Sequence, residues 1–459
     1  QLLHNDGSNS LNNPCAVQDA LTGRILLMYQ RYPYGLSEST VVPGNSGDSI
    51  CRCLLVRSDD DGATWSAPQD ITAQVKPPAP ADSNCSGPGV GIQLRHPGAD
   101  CIPGSPDDHA GRLVIPFNHG EPGAVWRVFA VFSDDHGASW SYGAVAPAGS
   151  EAGYGNEVQL AELSDGRLLL SARHQGGLKY RKVATRADGG ATGSPLADDT
   201  ELIEPVCCAS VLRLTDPLDG QSNRLLYAGP YSQTSRVNGN IWLSADDGDT
   251  WPVRREFYTG SYAYSTLTAL TDGRIGVLFE RDNYTKISFS RFPLAWMTKG
   301  ADTFTGGYPR ITVLGGAESV TSTSAALRAT LTANGTAATA VFFYWGAADG
   351  GADTSAWEHI SGPVLIQSAP PAACSAAVSA LSPGEAFVYR ARAVNTFGAA
   401  WSEKMTFRTL NGTGISTTNG AGATGIGVGT ATLHGGADQS GEMRLYYGAS
   451  DGGTDPDAW

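Results

Sequence analysis

Long hydrophobic runs are missing from this 459-residue chain: no stretch reaches the roughly 18 apolar residues that a transmembrane helix needs, so no membrane span is expected. Basic charge is scarce as well. Lys and Arg number 31 against 45 Asp and Glu, a net charge of −14, which excludes nucleic acid from the expected partners. An anionic ligand needs a local group of arginines to overcome that field. The eight cysteines, Cys15, Cys51, Cys53, Cys85, Cys101, Cys207, Cys208 and Cys374, lack the spacing of a zinc site, and no metal or cofactor is expected. Cys85 and Cys101 flank a loop and are candidates to pair; buried free thiols are the alternative. The chain opens on Gln1 with neither an initiator Met nor an apolar leader, so an upstream segment is expected.

Glycine and proline are abundant, at 57 and 26, as many short strands and tight turns require. The stretch Gly111 to Trp140 shows the repeating unit whole. Gly111-Arg112 opens an apolar run, a Gly/Pro loop follows, and a second run from Val125 to Phe132 leads into a polar hairpin. In that hairpin Ser133, Asp135, Gly137, Ser139 and Trp140 follow a Ser-x-Asp-x-Gly-x-Thr/Ser-Trp pattern. Asp and Ser can bond their own backbone there, and Gly can take positive φ. The pattern returns at Ser58-Asp60-Gly62-Thr64-Trp65 and Ser244-Asp246-Gly248-Thr250-Trp251, with a degraded copy at Asp188, Gly190 and Thr192. The opening strand recurs at Arg24, Arg112, Arg167, Arg224 and Arg274. All-β units in series that cannot bury their own faces predict a β-propeller over residues 1–310.

Near Pro309 the character changes. Residues 318–409 are rich in Ala, Thr and Gly with alternating strands, and Leu381-Ser-Pro383-Gly384 precedes a long strand. This resembles a fibronectin type III or similar β-sandwich, with Phe387 where that family usually has Tyr. A second copy spans 412–459: Tyr344, Gly346, Asp349, Asp353 and Trp357 recur at one constant offset as Tyr446, Gly448, Asp451, Asp455 and Trp459. It stops halfway through a sandwich, so the chain is expected to be cut there too. The Asp-Gly-Gly segments lack the ligand ladder of a calcium loop and are expected to be solvated turns.

The repeated hairpins are structural punctuation. Candidates for chemistry are singular residues at strand heads: Glu157 in Tyr-Gly-Asn-Glu157-Val-Gln, Arg173 ending LLLSAR, Arg236 in Thr-Ser-Arg236-Val-Asn, and Tyr262 and Tyr264 in Gly-Ser-Tyr-Ala-Tyr-Ser. Each taken singly also reads as an ordinary surface charge or a packed ring. The ordered set, with Asn13-Pro14-Cys15, Gly87-Pro-Gly-Val-Gly-Ile-Gln-Leu94 and Arg291-Phe-Pro-Leu294, resembles the exo-α-sialidases (neuraminidases) over roughly residues 10 to 297.

The resemblance implies a six-bladed propeller whose first blade is largely missing from this chain. It implies a retaining hydrolase of terminal sialic acids. The substrate carries a carboxylate on its anomeric carbon, which arginines grip with planar paired donors. A carboxylate nucleophile would be repelled, so this family uses tyrosine, an exception among glycosidases. The match makes Tyr264 the nucleophile, Glu157 its base, Arg173 and Arg236 two of three carboxylate-binding arginines, and Glu280 a supporting residue. The first arginine and the acid/base Asp have no counterpart here, so weak turnover is expected; Asp48 is the alternative acid. The implied setting is a secreted or cell-surface monomer acting on sialylated glycans, with no cofactor. The rival readings are a non-catalytic sialoglycan-binding propeller and an adhesive repeat protein. A pure binder has no use for the Tyr264–Glu157 pair. The sandwich modules read as spacers.

Overall fold

The computed structural model describes residues 3–411, except 21, 79–80, 97–108, 220, 271–272, 303, 305–306, 336, 367–368 and 396–397, together with four short strands beyond 411. The expected recurrence from Tyr446 to Trp459 lies outside the described residues, as does Cys101. The chain is all-β. Its helices among the described residues are short, such as Thr72–Val75 and Leu294–Met297, and none is long and apolar enough to cross a membrane.

The N-terminal strands form antiparallel meanders in chain order. The first runs Ser10–Gln18, Ile25–Tyr32, Arg52–Ser58 and Gln69–Asp70, with Gly89–Val90 added parallel to its first strand. The second centres on Leu113–Glu121 and Val125–Ser133, and the third on Tyr154–Glu162, Leu168–Gln175 and Tyr180–Ala187. The last sheet has six strands, because the long strand Val253–Ala269 serves two meanders: its first half pairs with Val237–Ser244, its second with Ile275–Arg281.

Side chains on a strand alternate between faces, so each sheet between two others must be apolar on both. Leu113, Ile115 and Phe117 join Leu26, Met28 and Leu55 of the first sheet, whereas Val114 turns to Leu160, Leu168 and Leu170 of the third. Leu169 faces the next core, with Leu225, Tyr227 and Trp242. The continuous apolar runs in the sequence follow from this two-sided burial. On the last meander, Leu278, Ile287 and Phe289 remain exposed.

The polar hairpins share one wiring. In the first, Ser58 Oγ donates to Asp60 Oδ1 at 2.8 Å, and Asp60 accepts from Thr64 N at 2.7 Å and Thr64 Oγ1 at 2.6 Å. Ser133–Asp135–Ser139 and Ser244–Asp246–Thr250 repeat these bonds, and Asp188–Thr192 keeps part of them. Gly62, Gly137 and Gly248 sit at φ of 83°, 84° and 93°, where a Cβ would be strained. Two hairpins also dock on the preceding repeat. Trp251 donates through N to Glu201 at 2.7 Å and through Nε1 to Asp199 at 3.0 Å, and Trp140 N donates to Gln74 at 2.9 Å.

Residues 310–408 form two further sheets over a shared core that includes Leu327, Leu331, Val341, Phe343 and Tyr389. Phe387 is buried against Phe407, and it is Tyr389 whose hydroxyl donates to a backbone carbonyl, that of Arg328, at 3.1 Å. Asp349 accepts from Gly351 N and Asp353 from Ser355 N, each at 2.9 Å, so both carboxylates serve their own turn. This unit meets the preceding sheets through Arg390 donating to the Leu218 carbonyl at 2.7 Å and Gln221 to that of Ala399 at 3.1 Å.

Candidate active site

Three leading strands share an irregularity at one level. Their pairing slips between Asn12 and Cys15, between Gly155 and Val158, and between Tyr262 and Ser265. Each slip sets three residue steps against two on the partner strand, a β-bulge that re-aims the side chains it carries. The bulges hold Asn13-Pro14, Asn156-Glu157 and Ala263-Tyr264. Residue spacing alone does not reveal them.

The bulged residues meet. The Tyr264 hydroxyl donates to Glu157 Oε1. Arg173 Nη1 donates to Glu157 Oε2 at 2.9 Å and to the Tyr264 oxygen at 3.2 Å. The Arg236 guanidinium lies over the Tyr264 ring, 5.4 Å from its centroid, held by the Val206 carbonyl at 2.8 Å and the Tyr284 hydroxyl at 2.9 Å. Glu280 Oε2 accepts from the Tyr264 backbone N–H at 3.2 Å and so fixes the bulge itself. Glu157, Arg173, Arg236, Tyr264 and Glu280 therefore converge. Tyr262 does not join them: it is fully buried among Phe257 and Phe279.

Burial, and then the Glu157 carboxylate, push the Tyr264 phenol well above its ordinary range. At rest it is a protonated phenol with a base already in place. Burial disfavours the Arg173 charge, but Glu157 and Tyr264 outweigh burial and raise its pKa. An attacking Tyr264 can pass its proton to Glu157 while Arg173 holds that carboxylate in line.

A cavity of about 330 Å³ opens beside this group, lined by Asn12, Asn13, Glu38, Asn156, Glu157 and Arg173, among others. Tyr264 and Glu280 line an apolar cavity of about 360 Å³ between Leu27 of the first sheet and Leu278 and Ile287 of the last. A third, of about 310 Å³ around Arg95, Glu162 and Asp216, shares none of these residues.

Sequence reasoning missed what braces the site. Glu204, fully buried, accepts from His174 N at 2.5 Å and from Arg181 Nη1 at 2.9 Å, pinning the strand end beside Arg173. Gly89 has φ 142°, and a Cβ there would fall 2.5 Å from Gln159 Oε1, which explains the glycine in Gly87-Pro-Gly89. Asp48 is exposed and does not line the cavity. Cys85 is a buried free thiol 3.0 Å from the Tyr32 hydroxyl.

A family profile for the BNR repeat-like domain matches residues 2–277. The chain belongs to this BNR-repeat family. Among its curated relatives, a sialidase of Micromonospora viridifaciens is 36% identical over 62% of this chain and 42% of its own length. A sialidase of Bacteroides fragilis is 28% identical over 60% of this chain and 48% of its own. The chain thus spans less than half of either relative. Among solved structures, the Hadza microbial sialidase Hz136 superposes with a TM-score of 0.55 at 30% identity, covering 63% of this chain and 54% of that one. A leech intramolecular trans-sialidase shares the fold at a TM-score of 0.53 and 21% identity, over 64% of this chain and 58% of that one. The profile match spans the N-terminal meanders that carry Glu157, Arg173, Arg236 and Tyr264.

Proposed function

We propose that the N-terminal part of this chain is an exo-α-sialidase that removes terminal sialic acids from glycans with retention, through Tyr264 as nucleophile and Glu157 as its base. The observation that carries this reading is the hydrogen bond from Tyr264 to Glu157, made between two bulges and flanked by two arginines. Arg173 and Arg236 are the carboxylate-binding pair, and Glu280 holds the nucleophile's backbone. Sialidase relatives by sequence and by fold support the same activity. A binding protein gains nothing from a phenol placed on a base, and this disfavours the lectin-like reading.

The finer fold reading is a six-bladed propeller over 1–310 followed by a sandwich over 318–409 and a partial second copy over 412–459. A sixth sheet would cover the exposed row of Leu278, Ile287 and Phe289. The first carboxylate-binding arginine has no counterpart in the sequence, so the chain by itself is expected to turn over slowly. A secreted or cell-surface monomer is the setting we propose.

The test is covalent trapping. A 2,3-difluorosialosyl fluoride forms a glycosyl-enzyme that hydrolyses slowly. Mass spectrometry of the digested protein should place the sugar on the peptide containing Tyr264, and Tyr264→Phe should abolish the label. A label on another residue would refute the assignment.

A further inference from the structure

Two arginines from different sheets can grip one carboxylate only when both are held within roughly 0.5 Å of the required geometry. We propose that Arg181 sets the separation of Arg173 and Arg236. It is a positioning residue that ties the strand of Arg173 to the peptide holding Arg236; this rests on the sialidase reading above.

Arg181 lies on strand Tyr180–Ala187 and is fully buried. Every nitrogen of its guanidinium is engaged. On one side Nε donates to Ser171 Oγ at 3.0 Å and Nη2 to the Ser171 carbonyl at 2.9 Å. Ser171 precedes Arg173 on Leu168–Gln175, with its side chain on the same side of the strand. On the other side Nη1 donates to Glu204 Oε2 at 2.9 Å and to the Cys207 carbonyl at 3.0 Å. Glu204 also accepts from the backbone N of His174, the residue after Arg173.

Between Glu204 and Cys207 the backbone is strained. Val206 has φ of 62°, the left-handed region that a β-branched residue avoids. Such a conformation persists only where its surroundings over-determine it. Here Glu204 N donates to the Lys179 carbonyl at 3.0 Å, the Glu204 carboxylate is bound by His174 and Arg181, and Arg181 holds the Cys207 carbonyl. The Val206 carbonyl, fixed between these anchors, accepts from Arg236 Nη2 at 2.8 Å. One buried guanidinium thus links Arg173, through Ser171, to Arg236, through Cys207 and Val206. Glu204 alone would balance the Arg181 charge. The bonds to Ser171 and to the Cys207 carbonyl add no charge balance; they fix geometry. Being fully buried, Arg181 cannot touch a ligand and acts only through these bonds.

The test measures binding of N-acetylneuraminic acid and of its methyl ester by NMR titration. The ester removes the charge that the arginine pair grips and keeps the rest of the sugar. Arg181→Lys keeps a positive charge beside Glu204 and loses the planar fork. We expect Kd for the acid to rise about 10-fold or more, and Kd for the ester to change by less than about 3-fold. Val206→Gly is the second variant. Glycine takes the positive φ without strain, so the fold is kept, but the carbonyl is free to swing. Its Kd for the acid should rise about 3-fold, again with the ester little changed. Equal losses for acid and ester in Arg181→Lys, or unchanged acid binding in Val206→Gly, would overturn the positioning role. If circular dichroism shows Arg181→Lys unfolded, Val206→Gly decides alone. A wild type that prefers the acid to the ester keeps the sialidase reading whatever the variants do. A wild type that binds both alike would overturn that reading and this proposal together.

Discussion

Glu157 and Tyr264 stand 107 positions apart in the chain and share a single hydrogen bond. Each rides on a β-bulge, Glu157 near the start of Tyr154–Glu162 and Tyr264 in the second half of Val253–Ala269. Arg173 touches both, so the proton's donor, its acceptor and the acceptor's counter-charge form one triangle.

Tyr264→Phe removes the oxygen but keeps the ring over which Arg236 lies. Turnover should fall by about 10³-fold or more, whereas calorimetry should find sialic acid affinity within a few-fold of wild type. Glu157→Gln should act in the same direction, since an amide cannot take the phenol's proton. Rates and product anomers read by NMR check both variants; unchanged turnover in Tyr264→Phe would remove it as nucleophile.

Arg236→Lys keeps the charge and loses the planar fork. The arginine spends one nitrogen on Val206 and one on Tyr284, so its orientation is set before ligand arrives. Replacing paired donors with a point charge should weaken sialic acid binding by about 1.5–3 kcal/mol, roughly 10- to 100-fold in Kd by calorimetry. Equal affinity would mean that Arg236 does not hold the substrate carboxylate.

Glu204→Ala should destabilise the fold by about 3–5 kcal/mol. It strands the fully buried Arg181 guanidinium, whose charge Glu204 balances. Urea unfolding reads the loss directly. Because His174 also loses its partner, the Arg173 strand end should loosen, and ligand affinity should drop with stability.

Asp246→Ala should cost about 1 kcal/mol at neutral pH, a figure reduced for its exposure. Burial alone would raise the Asp246 pKa slightly, but bonds from Thr250 and Ser244 outweigh it and lower the folded value. A lowered carboxyl contributes stability above its unfolded pKa of about 4, and that contribution is lost as pH falls through the folded value. Wild type and variant should therefore converge in denaturant midpoint on acidification and separate again toward neutrality. A gap that does not change with pH would refute the role of the carboxylate.

The hairpins were legible in the sequence because every bond that defines them closes within a few residues. Ser, Asp, Gly and Thr at fixed spacing need no distant partner, and the degraded copy at Asp188 keeps its Thr192 bond for the same reason. The five site residues were legible only through their ordered likeness to a family, since no local rule marks a glutamate at a strand head as a base.

Other features were decided by the tertiary structure alone. A bulge depends on the register of two strands, so the aim of Glu157 and Tyr264 depends on Leu168–Gln175 and Ile275–Arg281 as much as on their own segments. Tyr262 and Tyr264 look alike in sequence; the bulge sends one into the Phe257–Phe279 core and the other to Glu157. Short-range hydrogen bonding is written in neighbouring residues. The contact of Tyr264 with Glu157 and Arg173 exists only once separate sheets bring them together.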